Sequence, residues 1–317
     1  PRGPKPKAPI LAQENVHDFS WTPEELVEAW EWELSGFEFL GDAYPVVDLA
    51  CFGPGVLAAF CGAKLDNSSG RVWFFPYEED VTKLSIRYDP ENIWARRMKD
   101  ICRAAMERWQ GSVIITMPDL GGILDVIASL CGTESLLYAT VDEPEEVHRL
   151  IREAEKAWQE AYEDFARILA PQGCMTNWNG ILSRETTYIP QCDFSYMLGP
   201  DMFEEFVMPT LREDTKRITN TIYHLDGIGA LKHLDALLTL DNLKAIQWVY
   251  GVDQPGPPAW LDVYRKVLDA GKQIMIIEDA LTNGYREIRP HLGKSPYAAT
   301  WTTRAHREEA VALLESE

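Results

Sequence analysis

The chain has 317 residues, 46% of them hydrophobic, and 50 acidic against 30 basic side chains give a formal net charge of −20. The length suits one α/β barrel with extensions, and the apolar fraction is that of a globular protein. Such acidity repels phosphate backbones, so no nucleic-acid partner is expected, and no apolar run approaches the ~20 residues that would cross a membrane.

Six cysteines, at positions 51, 61, 102, 131, 174 and 192, form no CxxC pair. That usage fits free thiols in a reducing compartment, here the cytoplasm. Residues 1–19 open on the basic, Pro-rich stretch PRGPKPKAP and are expected to be a disordered or extended lead. Thr22-Pro23-Glu24-Glu25 predicts a helix start, with Thr22 as N-cap, Pro23 at the first helical position and Glu25 as capping-box partner. Residues 45–51 read as a strand containing Asp48, and Phe52-Gly53-Pro54-Gly55 as a turn. Residues 71–76 read as a hairpin arm outside the barrel.

A rhythm of strands and helices then sets in. Residues 94–109 predict a helix, 112–116 a strand, 118–122 a turn, 123–130 a short helix and 136–139 a strand. A long helix from Glu143-Pro144 to Leu169 follows from the stripe Val147, Leu150, Ala154, Trp158, Tyr162 and Phe165, with Gly173 as its stop. Residues 174–178 read as a strand, 179–198 as a long excursion and 200–216 as a helix. Residues 218–251 read as strand, turn, helix and strand, with Leu231, Leu234, Leu237 and Leu238 at helical spacing. A helix over 260–270, a strand over 273–277, a strand over 297–301 and a helix over 304–317 complete the chain.

Eight strand-like runs alternating with helices predict a parallel sheet, and eight favour a single (β/α)8 TIM barrel over 20–317 with an N-terminal helical extension. An open doubly wound sheet is the rival, and no GxGxxG follows the first strand to support it. Ligand sites in such folds lie just beyond the carboxyl ends of the strands. Those ends collect Asp48, Asp119, Trp178, Asn179, His224, Asp226, Gln247, Trp248, Tyr250, Glu278, Asp279 and Trp301. Taken singly, each has a plain structural use, such as an Asx turn for an aspartate or packing for a tryptophan. Taken together, acids, a histidine and aromatics on one rim describe a site for a cation or for a ligand held on aromatic faces. His224 and Asp226 are two apart in a strand and so share a face. With Glu278 they offer one nitrogen and two carboxylates, a ligand set that zinc accepts. Asp193, in the long excursion, is a candidate proton donor reaching the site from above.

Several segments have family counterparts. They are Phe52-Gly53-Pro54-Gly55, Met202-Phe203-Glu204-Glu205-Phe206 before Pro209, Ile222-Tyr223-His224-Leu225-Asp226-Gly227, Gln247-Trp248-Val249-Tyr250-Gly251 before a Pro-rich turn, and Ala270-Gly271-Lys272. Together, from about residue 20 to the end, they resemble the uroporphyrinogen decarboxylase superfamily, which holds the decarboxylases of haem synthesis and cobalamin-dependent methyltransferases. The resemblance implies a (β/α)8 barrel with its site at the strand carboxyl ends. Two departures matter. The Arg-Gln-Ala-Gly-Arg stretch by which the decarboxylases grip carboxylates is absent. The zinc methyltransferases carry His-x-Cys and a later Cys, where this chain has His224-Leu225-Asp226 and Thr300-Trp301-Thr302. A thiolate zinc site is therefore absent, and a His/Asp/Glu site takes its place.

The resulting expectation is an enzyme that moves a methyl group between a small methylated substrate and a corrinoid carried on a partner protein. His224 and Asp226 bind zinc or polarise the methylated group, with Glu278, and Asp193 serves as proton donor. Trp178, Asn179, Gln247, Trp248, Tyr250, Trp301 and Asp119 line the substrate. Tetrapyrrole decarboxylation and non-catalytic binding of a small ligand are the alternatives. A homodimer is compatible with the sequence, which leaves the oligomeric state open.

Overall fold

The computed structural model describes residues 3–276, 285–293, 297–298 and 304–315. The chain divides into two compact units, Pro1–Thr187 and Tyr188–Glu317.

In the first unit, α1 (Pro23–Leu34) begins as its sequence dictates. Thr22 Oγ1 accepts from Glu25 N, and the Glu25 carboxylate accepts from Thr22 N, so two orphan donors of the first turn are satisfied. Strand β1 (Val46–Val47) and helix α2 (Leu57–Phe60) precede an antiparallel hairpin of β2 (Lys64–Asp66) and β3 (Trp73–Phe75). Then come α3 (Ile93–Trp109), β4 (Ile114–Ile115), α4 (Ile123–Cys131), α5 (Thr133–Asp142) and α6 (Pro144–Leu169). Strands β1 and β4 pair in parallel. The apolar stripe of α6 is the heart of the core: Val147, Leu150, Ala154 and Phe165 are fully buried. Phe165 stacks on Phe60 at 5.8 Å and Trp158 on Tyr162 at 5.2 Å.

Two expectations are corrected here and a third is narrowed. Residues 136–139 are helical, inside α5, because the buried set Leu136, Ala139 and Thr140 recurs at three and four while Tyr138 and Val141 face solvent. Residues 174–178 form no strand and contribute only an antiparallel bridge from Met175 to Ser183. Of the expected disordered or extended lead, the described residues 3–12 form no helix or strand and are packed. Ala8, Leu11 and Val16 are buried, and Gln13 accepts from Asn67 Nδ2 and Val72 N.

Strand β5 (Thr187–Tyr188), where the chain passes from the first unit to the second, heads a sheet of order β5-β6-β7-β8-β9. Its other strands are β6 (Asn220–Asp226), β7 (Ala245–Val249), β8 (Gln273–Ile276) and β9 (Tyr297–Ala298), parallel throughout. The helices of this unit are α7 (Pro200–Phe206), α8 (Met208–Arg217), α9 (Leu234–Leu238), α10 (Leu261–Asp269), α11 (Tyr285–Ile288) and α12 (Arg307–Glu315). The single helix expected over 200–216 is broken at Val207, because Pro209 lacks an N–H and starts a new first turn. Tyr223, Leu225, Ile246 and Ile274 are buried on the face away from His224, so the sheet carries apolar residues on both faces as parallel sheets do.

The architecture is thus mixed α/β with parallel ladders. Where the sequence reading puts eight strands in one ring, the described ladders are a parallel pair and an antiparallel hairpin in the first unit and a five-stranded sheet led by β5. No single helix among the described residues is long and apolar enough to cross a membrane.

Candidate functional site

The site forms in the second unit, at the carboxyl end of β6. His224 and Asp226 project from the same face of this strand, two residues apart. Across the β6–β7 ladder, His224 is in register with Gln247 and Asp226 with Val249. His224 Nδ1 lies 2.6 Å from Gln247 Oε1, and its Nε2 lies 3.9 Å from Asp226 Oδ2. Gln247 is fully buried, and its Nε2 has no protein partner among the described residues. Gly227 ends the strand with φ +79° and donates its N–H to Val249 O at 2.8 Å. Only glycine takes that turn without strain, so the abrupt end that leaves Asp226 at the sheet edge is written in the sequence.

Asp193 is brought to the same place by tertiary contacts. Segment 190–191 runs alongside β6: His224 N donates to Pro190 O at 2.9 Å, and Gln191 bridges to His224 in parallel. The chain then turns through a 3-10 helix, Asp193–Met197. Buried His233 sits 2.9 Å from Ser195 O through Nε2 and stacks on Phe203 at 4.1 Å, while Lys232 Nζ donates to Tyr196 O at 3.0 Å. The Tyr196 ring lies against Gly227 and Gly229, and a Cβ on Gly229 would overlap it.

One ligand atom each of Asp193, His224 and Asp226 lie within 4.8 Å of one another. Asp193 is exposed as a residue, yet its carboxyl is partly desolvated. That desolvation pushes its pKa above the usual carboxylate range, His224 opposes the push, and the charge of Asp226 adds to it. Two carboxylates sharing one site repel each other, and a cation between them relieves both the repulsion and the desolvation. The donor set, one imidazole nitrogen and two carboxylate oxygens, suits zinc with an open fourth position.

No family model matches this chain, and no curated protein matches it in sequence. Among solved structures, it is similar to a methyltransferase from Methanosarcina mazei. The TM-score is 0.59 and the identity 14%, over 94% of this chain and 86% of that one. At that identity the likeness is one of fold.

Of the residues that sequence reading assigns to the site, the structure brings together Asp193, His224, Asp226 and Gln247. Trp248 is corrected: it alternates with Gln247 along β7, in register with Leu225, and so points to the opposite face of the sheet. There it meets Trp260 edge-on at 5.3 Å, and Tyr250 stacks on the same ring at 5.9 Å. Both are packing residues of the layer beside the sheet. Asp119, Trp178 and Asn179 belong to the first unit. Asp119 accepts from Gly121 N as an Asx turn, and Asn179 accepts from Ile181 N while its buried Nδ2 lacks a protein partner. Glu278 and Trp301 lie outside the described residues. Asp193 therefore supplies the second carboxylate of the cluster among the described residues. Sequence reading missed His233, Ser195 and Tyr196, whose contacts place Asp193. The one local signal was Gly227-Ile228-Gly229, whose missing side chains make room for the tyrosine.

Proposed function

We propose that this chain is a (β/α)8 barrel enzyme that moves a methyl group between a small methylated substrate and a corrinoid carried on a partner protein. The observation that carries the reading is the Asp193–His224–Asp226 cluster at the carboxyl end of a central parallel strand, where barrels of this kind place their chemistry. The fold likeness to a methyltransferase supports the direction of the reading.

In this proposal, Asp193, His224 and Asp226 hold one zinc ion, which supplies Lewis-acid polarisation of the atom that bears or receives the methyl group. The chain's own residues do the rest. The two carboxylates compensate the ion's charge. His224, beside Gln247, presents a ring nitrogen to the site. The Gln247 amide N–H, buried and without a protein partner among the described residues, donates in this proposal to an acceptor atom of a substrate that reaches it. A substrate that leaves such a donor unmatched binds more weakly by about 1–3 kcal/mol, which favours a small molecule carrying an oxygen acceptor.

The test uses free methylcobalamin as the methyl source and a panel of small thiols, alcohols and amines as acceptors. Loss of the methyl–cobalt absorption that requires the zinc-loaded protein, and that fails with His224→Ala, is the expected result. No enzyme-dependent change with any acceptor, nor in the reverse direction with methanol or methylamines and reduced cobalamin, would reject the reading.

A further inference from the structure

Gln247 occupies the middle of β7, in the run Ala245-Ile246-Gln247-Trp248-Val249, where its neighbours are apolar and buried or half-buried. A primary amide there loses its water, and one of its two ends finds no protein partner among the described residues. Packing does not call for it, since an apolar side chain would fill the same position without that loss. Among the described residues, the hydrogen bond of its side chain is the 2.6 Å contact between Oε1 and His224 Nδ1. The register that pairs His224 with Gln247 builds this contact into the sheet, so it does not depend on a loop.

An amide oxygen only accepts. For the contact to be a hydrogen bond, a proton must be on Nδ1, and in the neutral ring Nε2 then carries the lone pair. Nε2 is also the ring nitrogen on the Asp226 side, 3.9 Å from its carboxylate, and the ring shares its cluster with Asp193. We infer that Gln247 is a positioning residue that holds His224 in the Nδ1–H tautomer and so presents Nε2, unprotonated, to whatever the two carboxylates hold. The inference deepens the reading of the site given above, since the ion there would be the chief user of that lone pair. Orientation of a ligating histidine through its second nitrogen is a general device of metal sites. Here the partner is a neutral amide, which fixes the tautomer without adding a third negative charge to a site that already has two.

Selective nitrogen-15 labelling of histidine reads the tautomer directly in the intact, metal-free protein, with the His224→Ala variant identifying the His224 signals. The expected wild-type pattern is a protonated Nδ1 and a bare Nε2. Gln247→Leu should shift His224 toward the Nε2–H form, and Gln247→Glu, which keeps an acceptor at the same place but adds a charge, should keep Nδ1 protonated. Cobalt affinity, read from the visible spectrum, should fall by about 10–100-fold in Gln247→Leu and far less in Gln247→Glu. An Nε2–H tautomer in the wild type, or one that Gln247→Leu leaves unchanged, overturns the inference. If Gln247→Leu fails to fold, the wild-type pattern and Gln247→Glu still decide it. A correct tautomer in a protein that binds no cobalt would count against the ion and not against Gln247.

Discussion

At the scale of single residues, some polar groups are packed into the fold and others face the Asp193–His224–Asp226 cluster. His224 sits at a strand end with its side chain 13% exposed, and its polar contacts point into the cluster. His224→Ala should therefore reduce cation affinity at least about 100-fold and shift the melting temperature by no more than roughly 2–4 °C. Metal titration and a thermal melt on the same sample check this, and early melting would make the residue structural. His233 is the opposite case. It is buried against Phe203, and burial depresses its pKa below the usual histidine value. The unfolded chain then takes up the proton more readily than the native one, so stability falls as pH drops through the window below about 6.5. Urea unfolding of wild type and His233→Gln should show the wild-type advantage at about pH 7.5 shrinking toward about pH 5.5. A gap that widens on acidification would contradict the assignment. Sequence reading found His224 and Asp226 because strand alternation alone puts them on one face. It named Asp193 and Gln247 but had no access to their placement, which depends on a 3-10 turn held from His233 and on the β6–β7 register.

At the scale of elements, the turn that ends β6 positions the site. Gly227 has a left-handed conformation, and a Cβ there would also stand 3.3 Å from the Tyr196 ring. Gly227→Ala should destabilise the protein by about 1–2 kcal/mol and weaken cation binding, because the strain falls between Asp226 and the turn that carries Asp193. Chemical denaturation paired with metal titration measures both, and an unchanged pair of values would remove Gly227 from the account. Strong patterns predicted their elements well: the Thr22 capping box, the α6 stripe and the strand–turn–helix–strand unit around His224 all formed. Short apolar runs did not. Leu136-Leu137-Tyr138-Ala139 is too brief to separate period two from period 3.6, and only the burial of Thr140 with Leu136 and Ala139 shows the helix. Residues 174–178 carry strand-like side chains but find only an isolated bridge.

At the scale of the whole molecule, charge separates the two enzymatic readings. A chain with 50 acidic and 30 basic residues, and with two carboxylates at its candidate site, is poorly matched to a polycarboxylate such as uroporphyrinogen. Like charges a few ångström apart in a partly dry site cost roughly 1–4 kcal/mol per pair. Anaerobic incubation with uroporphyrinogen III, then oxidation and chromatography, should yield no coproporphyrin above background. Turnover of about one per second or faster would put decarboxylation first. The central claim, that Asp193, His224 and Asp226 form one cation site, is tested most directly by metal content. Protein loaded with zinc, desalted and analysed for elements should hold about one ion per chain, and the His224→Ala, Asp226→Ala double variant should hold essentially none while remaining folded. Substoichiometric zinc in the wild type, or zinc that the double variant retains, would contradict the account.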